Sequence, residues 1–151
     1  MLDKLFVART LFMFIIFIIG LTIAVFAFRL TSDLDSEQCS DNSKNAIRGL
    51  LVMGVCIICI SGTAFACGCL KSSNNSHNII FTSLILIISV ITLILSSIIK
   101  SECKKVTQDI NILLTMSIIS TTLSVGYLSY NLYEHIHNSA QTEEKFQLKG
   151  G

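Results

Sequence analysis

Uncharged, mostly apolar residues fill four long runs of this chain, at 11–28, 49–70, 79–99 and 110–133, with polar residues in the gaps between them. The runs hold 18, 22, 21 and 24 residues. A helix needs about 20 apolar residues to cross roughly 30 Å of hydrocarbon, so each run is long enough to span a bilayer. The pattern predicts an all-α membrane protein with four transmembrane helices in an antiparallel bundle, spanning about 9–29, 48–70, 78–99 and 110–133. Four crossings put the N- and C-termini on the same side, side A, with the turn at 71–77. The loops at 29–48 and 100–109 then share side B. Residues 1–138 read as one transmembrane domain and 139–151 as a polar C-terminal tail. Such a tail is expected to be mobile when free and to order by docking on a partner.

The contents of the runs predict how they pack. Lipid tails do not drive helices together by hydrophobicity, whereas small and hydroxylated residues let backbones approach. Gly20, Ala24 and Ala27 recur at helical spacing on the first span. On the second, Gly62 with Ala66 and Ala64 with Gly68 form two small-xxx-small pairs. Thr82, Ser89, Thr92 and Ser96 line one side of the third span, and Ser117, Ser120, Thr121 and Ser124 cluster on the fourth. Each span therefore has a weakly polar face for its neighbours and a greasy face for lipid. The bundle is expected to have small-residue seams inside. Tyr127, Tyr130 and Tyr133, at steps of three, read as an interfacial belt on side A. Phe12, Phe14 and Phe17 read as facing lipid or a partner helix.

Composition agrees with the membrane reading and removes other classes. Of 151 residues, 52% are hydrophobic and 14% charged, against about 25% charged in a soluble domain. No loop is long or apolar enough to build a separate soluble core. A net charge of +1 gives no case for nucleic acid as a partner. The first run is read as a retained helix, because it exceeds the roughly 7–15 apolar residues of a signal peptide core, with cleavage near Val25-Phe26-Ala27 as the alternative. Five basic residues on side A against six on side B leave the absolute orientation open. Within the four runs there is no Asp, Glu, Lys, Arg or His. Proton relays, ion-coupled transporters and voltage sensors rely on such residues inside the membrane, so their absence argues against those functions. The chain also lacks Pro, the usual device for a broken helix at a transport site.

The six cysteines carry the remaining chemistry. Cys39 and Cys103 lie in the two side-B loops, which makes them a candidate disulfide if that side is oxidising. The alternative is two unrelated thiols. Cys67 and Cys69 end the second run beside Lys71 and are candidates for acylation on a cytosolic side A. Cys56-Ile-Ile-Cys59 has the spacing of redox dithiols. In that feature, and in span number, the chain resembles four-helix membrane thiol oxidoreductases. However, the second span holds this pair near its middle, where a thiolate is strongly disfavoured. Glu134-His135-Ile136-His137 is a weak metal pattern, since two His two residues apart point to different sides of a helix. No cofactor or metal is expected. The single sequon, Asn74-Asn75-Ser76, sits in a short side-A turn and is expected to be unused.

With no intramembrane charge, soluble domain or convincing catalytic set, the expected function is structural. The chain reads as a non-catalytic subunit of a larger membrane complex or membrane-containing particle, such as a viral membrane or capsid-associated component. Its expected partners are the lipid bilayer, other subunits or a second copy of itself. The alternatives are a membrane thiol–disulfide oxidoreductase and a small neutral-solute channel or transporter. In span number, short loops and placement of termini, the plan resembles small tetraspan modules such as the MARVEL-like group.

Overall fold

The computed structural model describes residues 4–33, 40–69, 75–102 and 107–149, with side chains over 7–32, 40–66, 79–102 and 108–137. The described residues form four helices: α1 Lys4–Asp33, α2 Asp41–Cys69, α3 Asn75–Glu102 and α4 Thr107–Lys149. Each contains a segment long and apolar enough to cross a membrane: Val7–Ser32, Asp41–Ala66, Ile79–Glu102 and Gln108–His137. By length and composition this is an integral multi-pass membrane protein. Hydrocarbon offers no partner for a backbone N–H or C=O, so a spanning segment must bond within itself, and the helix does so.

The helices outrun the apolar stretches of the sequence. They continue through the first charged residues on each side, because those residues can be solvated or paired at the headgroup level while the backbone stays helical. The start of α2 shows the local chemistry. Ser40 caps it: its carbonyl accepts from Lys44 N–H at 3.1 Å and its hydroxyl from Asn42 N–H at 3.3 Å. Asp41 in the first turn, ion-paired with Lys44 at 3.6 Å, adds favourable charge at the positive end of the helix dipole. The polar stretch from 139 continues α4 to Lys149, making that helix 43 residues long. No Gly or Pro interrupts the chain between Gly126 and Gly150, and strong helix formers such as Ala140, Glu143, Glu144 and Lys145 fill it.

The helices pack in a ring: α1 on α2, α2 on α3, α3 on α4 and α4 on α1, while among the described residues neither diagonal pair brings its backbones together. The α1–α2 seam is the closest of the four and the α1–α4 seam the sparsest. Phe12, Ile16 and Ile23 of α1, Ile47, Leu50 and Ile57 of α2, Ile85 and Ile99 of α3, and Ile110 and Leu113 of α4 are buried at the centre. The outer surface is equally apolar. Leu11, Phe14 and Val25 on α1, Val52 and Val55 on α2, Ile87 and Ile94 on α3, and Ile118 and Leu123 on α4 are all exposed. An exposed apolar shell of this extent does not suit water, but it matches lipid tails.

Candidate functional site

The small residues of α1 and α2 bring two backbones together. A Cβ on Gly20 would lie 2.7 Å from Ile57 Cγ2, and one on Gly54 would lie 2.9 Å from the Ala24 nitrogen. Ala27 is fully buried on the same side of α1. Further along α2, Gly62 has only Phe17 nearby, at 3.9 Å, and Ala66 is exposed. Ala64, one of the alternative pair, is buried, and Gly68 lies outside the described side chains. The close approach therefore centres on Gly20, Ala24 and Gly54 and does not extend to Ala66.

The hydroxyl faces of α3 and α4 meet each other. Ser89 and Ser120, both fully buried, share a hydrogen bond of 2.7 Å. Ser96 and Ser117 stand 3.3 Å apart. Most hydroxyls along the seam return their proton to their own helix. Thr92 donates to Ser89 O, Ser96 to Thr92 O, Ser117 to Leu113 O and Thr121 to Ser117 O, each at 2.8 Å. Thr82 is also buried on this face of α3. Donation to a carbonyl one turn back needs neither water nor ligand.

The α1–α4 seam carries the chemistry that the apolar runs lack. At one end, Arg9 and Glu134 form an ion pair at 3.6 Å, with side chains only 18% and 24% exposed. At the other, Arg29 and Asp109 pair at 4.0 Å. Between the two arginines α1 advances twenty residues, about 30 Å, which is the thickness of the hydrocarbon. Beside Arg9, Phe12 stacks on Tyr127 with ring centroids 3.9 Å apart and planes 13° from parallel. Asn131, 4% exposed, lies on the same face of α4. Arg9 and Asn131 approach the Tyr127 hydroxyl closely enough to interact with it. Neither reaches hydrogen-bonding geometry, and Tyr127 Oη, Asn131 Nδ2 and Ser124 Oγ are buried without a partner in the protein. An unmet buried polar group costs about 1–3 kcal/mol.

This arrangement corrects the tyrosine belt. Tyr130 and Tyr133 are exposed, whereas the Tyr127 ring is inside, on Phe12. A step of three residues turns a helix by about 300°, so Tyr127 and Tyr133 end up roughly 120° apart. The three expected phenylalanines also separate: Phe12 is buried, Phe14 exposed and Phe17 half-buried beside Gly62. The sequence marks neither Arg9 nor Asn131 as a site residue, and it marks Glu134 only within the weak metal pattern at 134–137. Their signal is a charge just outside each run, Arg9 and Glu134, and a lone amide, Asn131, near the end of the fourth. Cross-helix complementarity between residues more than a hundred positions apart is invisible to local pattern.

Cys56 is half-buried and Cys59 exposed, both as free thiols. Cys39 and Cys103, the proposed bridge, and the side chains of Cys67 and Cys69, the proposed acylation sites, lie outside the described residues. His137 is exposed with its ring edge-on to Tyr133 at 6.1 Å, and no group of three His, Cys, Asp or Glu among the described residues is placed to hold a metal. No protein-family model matches the chain, and comparison with curated proteins and with solved structures found no match.

Proposed function

We propose that this chain is a non-catalytic structural or assembly subunit of a larger membrane complex or membrane-containing particle, built as an antiparallel bundle with both termini on one side. Residue pairings support the bundle direction. Gly20 meets Ile57 while Ala24 meets Gly54, and Arg9 meets Glu134 while Arg29 meets Asp109. In each case the partner number falls as the α1 number rises.

The observation that carries the structural reading is the disposition of the interior hydroxyls. Along the middle of α3 and α4, from Ser89 to Ser96 and from Ser117 to Thr121, they bond to their own backbones or to each other, and the one serine hydroxyl beyond them left unmet, Ser124, does not extend into a continuous polar path. This counts against a neutral-solute pore. The exposure of Cys59 on the outside of a run that holds no Lys, Arg or His counts against a thiol relay. What remains for neighbours is the greasy shell and the polar end of α4. With Arg9 opposite Glu134, the bundle direction carries α4 about ten residues, roughly 15 Å, past the start of α1. That overhang is a helical handle outside the bilayer, suited to another subunit.

Gentle detergent extraction followed by mass spectrometry tests this function. Co-purification with a stoichiometric membrane partner, or as a defined homo-oligomer, is the expected result. Migration as a lone monomer would remove the reading. Tags at the two ends should be reachable from the same face of sealed vesicles, and labelling from opposite faces would overturn the bundle direction.

A further inference from the structure

The buried face of α4 changes character along its length. Ser117 and Ser120 are satisfied, by Leu113 O and by Ser89 respectively. One turn further on, at 124, 127 and 131, the same face continues, but Ser124 Oγ, Tyr127 Oη and Asn131 Nδ2 have no partner in the protein. Buried polar groups in native proteins are almost always bonded, and an exception points to a water, ion or ligand. The unmet atom of Asn131 is its amide nitrogen, which can only donate, and the Tyr127 hydroxyl can donate beside it. One oxygen with two free lone pairs would satisfy both.

The position of the pair narrows the source of that oxygen. The two ion pairs of the α1–α4 seam are separated by about one hydrocarbon thickness, so Arg9 and Glu134 mark a headgroup boundary. Tyr127 and Asn131 lie within about two turns of it, along the sparsest seam of the bundle. Two kinds of oxygen are available at that depth: interfacial water, and the ester and phosphate groups of phospholipids. The stack on Phe12 fixes the phenol ring, so its hydroxyl is held in place before any guest arrives.

We propose that Tyr127 and Asn131 form a binding site for a hydrogen-bond-accepting oxygen at the headgroup level, supplied by ordered water or by a phospholipid ester or phosphate. Both side chains donate to this oxygen. The Arg9–Glu134 pair stands at the mouth, where the guanidinium favours an electron-rich guest and the carboxylate keeps the site neutral overall.

The protein contains three tyrosines, and the other two are exposed. Replacing them by Tyr130→Phe and Tyr133→Phe leaves Tyr127 as the sole phenol, and the Raman doublet of tyrosine then reads its hydrogen bonding. The measurement is made in delipidated maltoside micelles and in phosphatidylcholine nanodiscs. The expected result is a hydrogen-bonded Tyr127 whose signature is lost in Asn131→Leu. Bonding only in nanodiscs assigns the oxygen to the lipid, bonding in both media that is lost on drying the sample assigns it to water, and bonding in both media that survives drying is a direct Asn131–Tyr127 bond and overturns the proposal. A Tyr127 without a hydrogen bond in both media, or a signature unchanged by Asn131→Leu, overturns the proposal. Tyr127→Phe gives a second readout independent of the Asn131 variant, because it removes only the oxygen. Its unfolding midpoint should fall by about 2–4 °C if a guest is bound. An unchanged or raised midpoint would mean a dry site and would also overturn the proposal.

Discussion

Gly54 lies against the backbone of Ala24, so close that a Cβ would stand 2.9 Å from its nitrogen and 3.1 Å from its Cα. A side chain can turn away from such a contact, but a helix backbone cannot. Gly54→Ala should therefore force α1 and α2 apart and destabilise the bundle by about 1–3 kcal/mol, the usual range for overpacking. Gly126 is the control, because nothing lies within 4 Å of its Cβ position. Gly126→Ala should be neutral or stabilising by up to about 1 kcal/mol through helix propensity. Reversible unfolding in mixed micelles measures both, and equal losses at the two sites would refute the close contact.

Ser89 and Ser120 are predicted to couple, and Ser96 and Ser117 are not. A hydroxyl has one proton. Ser96 and Ser117 both donate theirs to their own helices, so the 3.3 Å between their oxygens has no proton to bridge it. Ser89 and Ser120 instead face each other at 2.7 Å. A double-mutant cycle to Ala should give a coupling of about 0.6 kcal/mol for Ser89 with Ser120, the average for side-chain hydrogen bonds between membrane helices. For Ser96 with Ser117 the coupling should be near zero. The reverse order would show that the protons are placed otherwise.

The element count was legible in the sequence because hydrophobic length is a local property, and so were the hydroxyl faces, because spacing along one helix is local too. Ser89, Ser96 and Ser117 are buried at the seam that their spacing suggested. Which small pairs meet was not legible. Gly62-x-x-x-Ala66 looks as good in sequence as Gly20-x-x-x-Ala24, yet Ala66 is exposed while Ala24 packs against Gly54. Two helices in contact select one register, and that choice depends on both surfaces together. The polar cluster of the α1–α4 seam was hidden for the same reason. Arg9 and Glu134 each look like a helix end in water, and only their juxtaposition makes them a pair.

The two ion pairs of that seam should respond differently to loss of a partner. Arg29 is 68% exposed and reaches the more covered Asp109, 18% exposed, only at 4.0 Å, so Arg29→Gln should cost less than Glu134→Gln, about 1 kcal/mol or below, and added salt should reduce the difference. Arg9 and Glu134 are mostly covered, and removing one leaves the other poorly solvated. Glu134→Gln should cost roughly 1–3 kcal/mol, between the values for an exposed ion pair and a fully buried one. The loss should persist at high salt. The measurement is unfolding of both variants at low and high ionic strength, and a Glu134→Gln effect that vanishes with salt would place this pair in open solvent.

The Ser43 hydroxyl donates to Glu102 Oε2 and ties the start of α2 to the end of α3. Cys39 precedes Ser43 by four residues and Cys103 follows Glu102 directly, so both cysteines enter the chain within four residues of that tie. This favours the proposed Cys39–Cys103 disulfide over two unrelated thiols, provided side B faces an oxidising compartment. Protein alkylated in its native membrane and run without reductant should migrate faster than the reduced form. Cys39→Ala and Cys103→Ala should each abolish the difference, while Cys56→Ser with Cys59→Ser should leave it unchanged. The bridge closes a loop of more than sixty residues, for which chain entropy alone gives roughly 4 kcal/mol, an upper bound in a membrane that already restricts the unfolded chain. Reductant should accordingly lower the unfolding midpoint of the natural protein and not that of Cys103→Ala. Six titratable thiols in unreduced protein would show that side B is reducing, and the first and second hairpins would then be joined by packing alone.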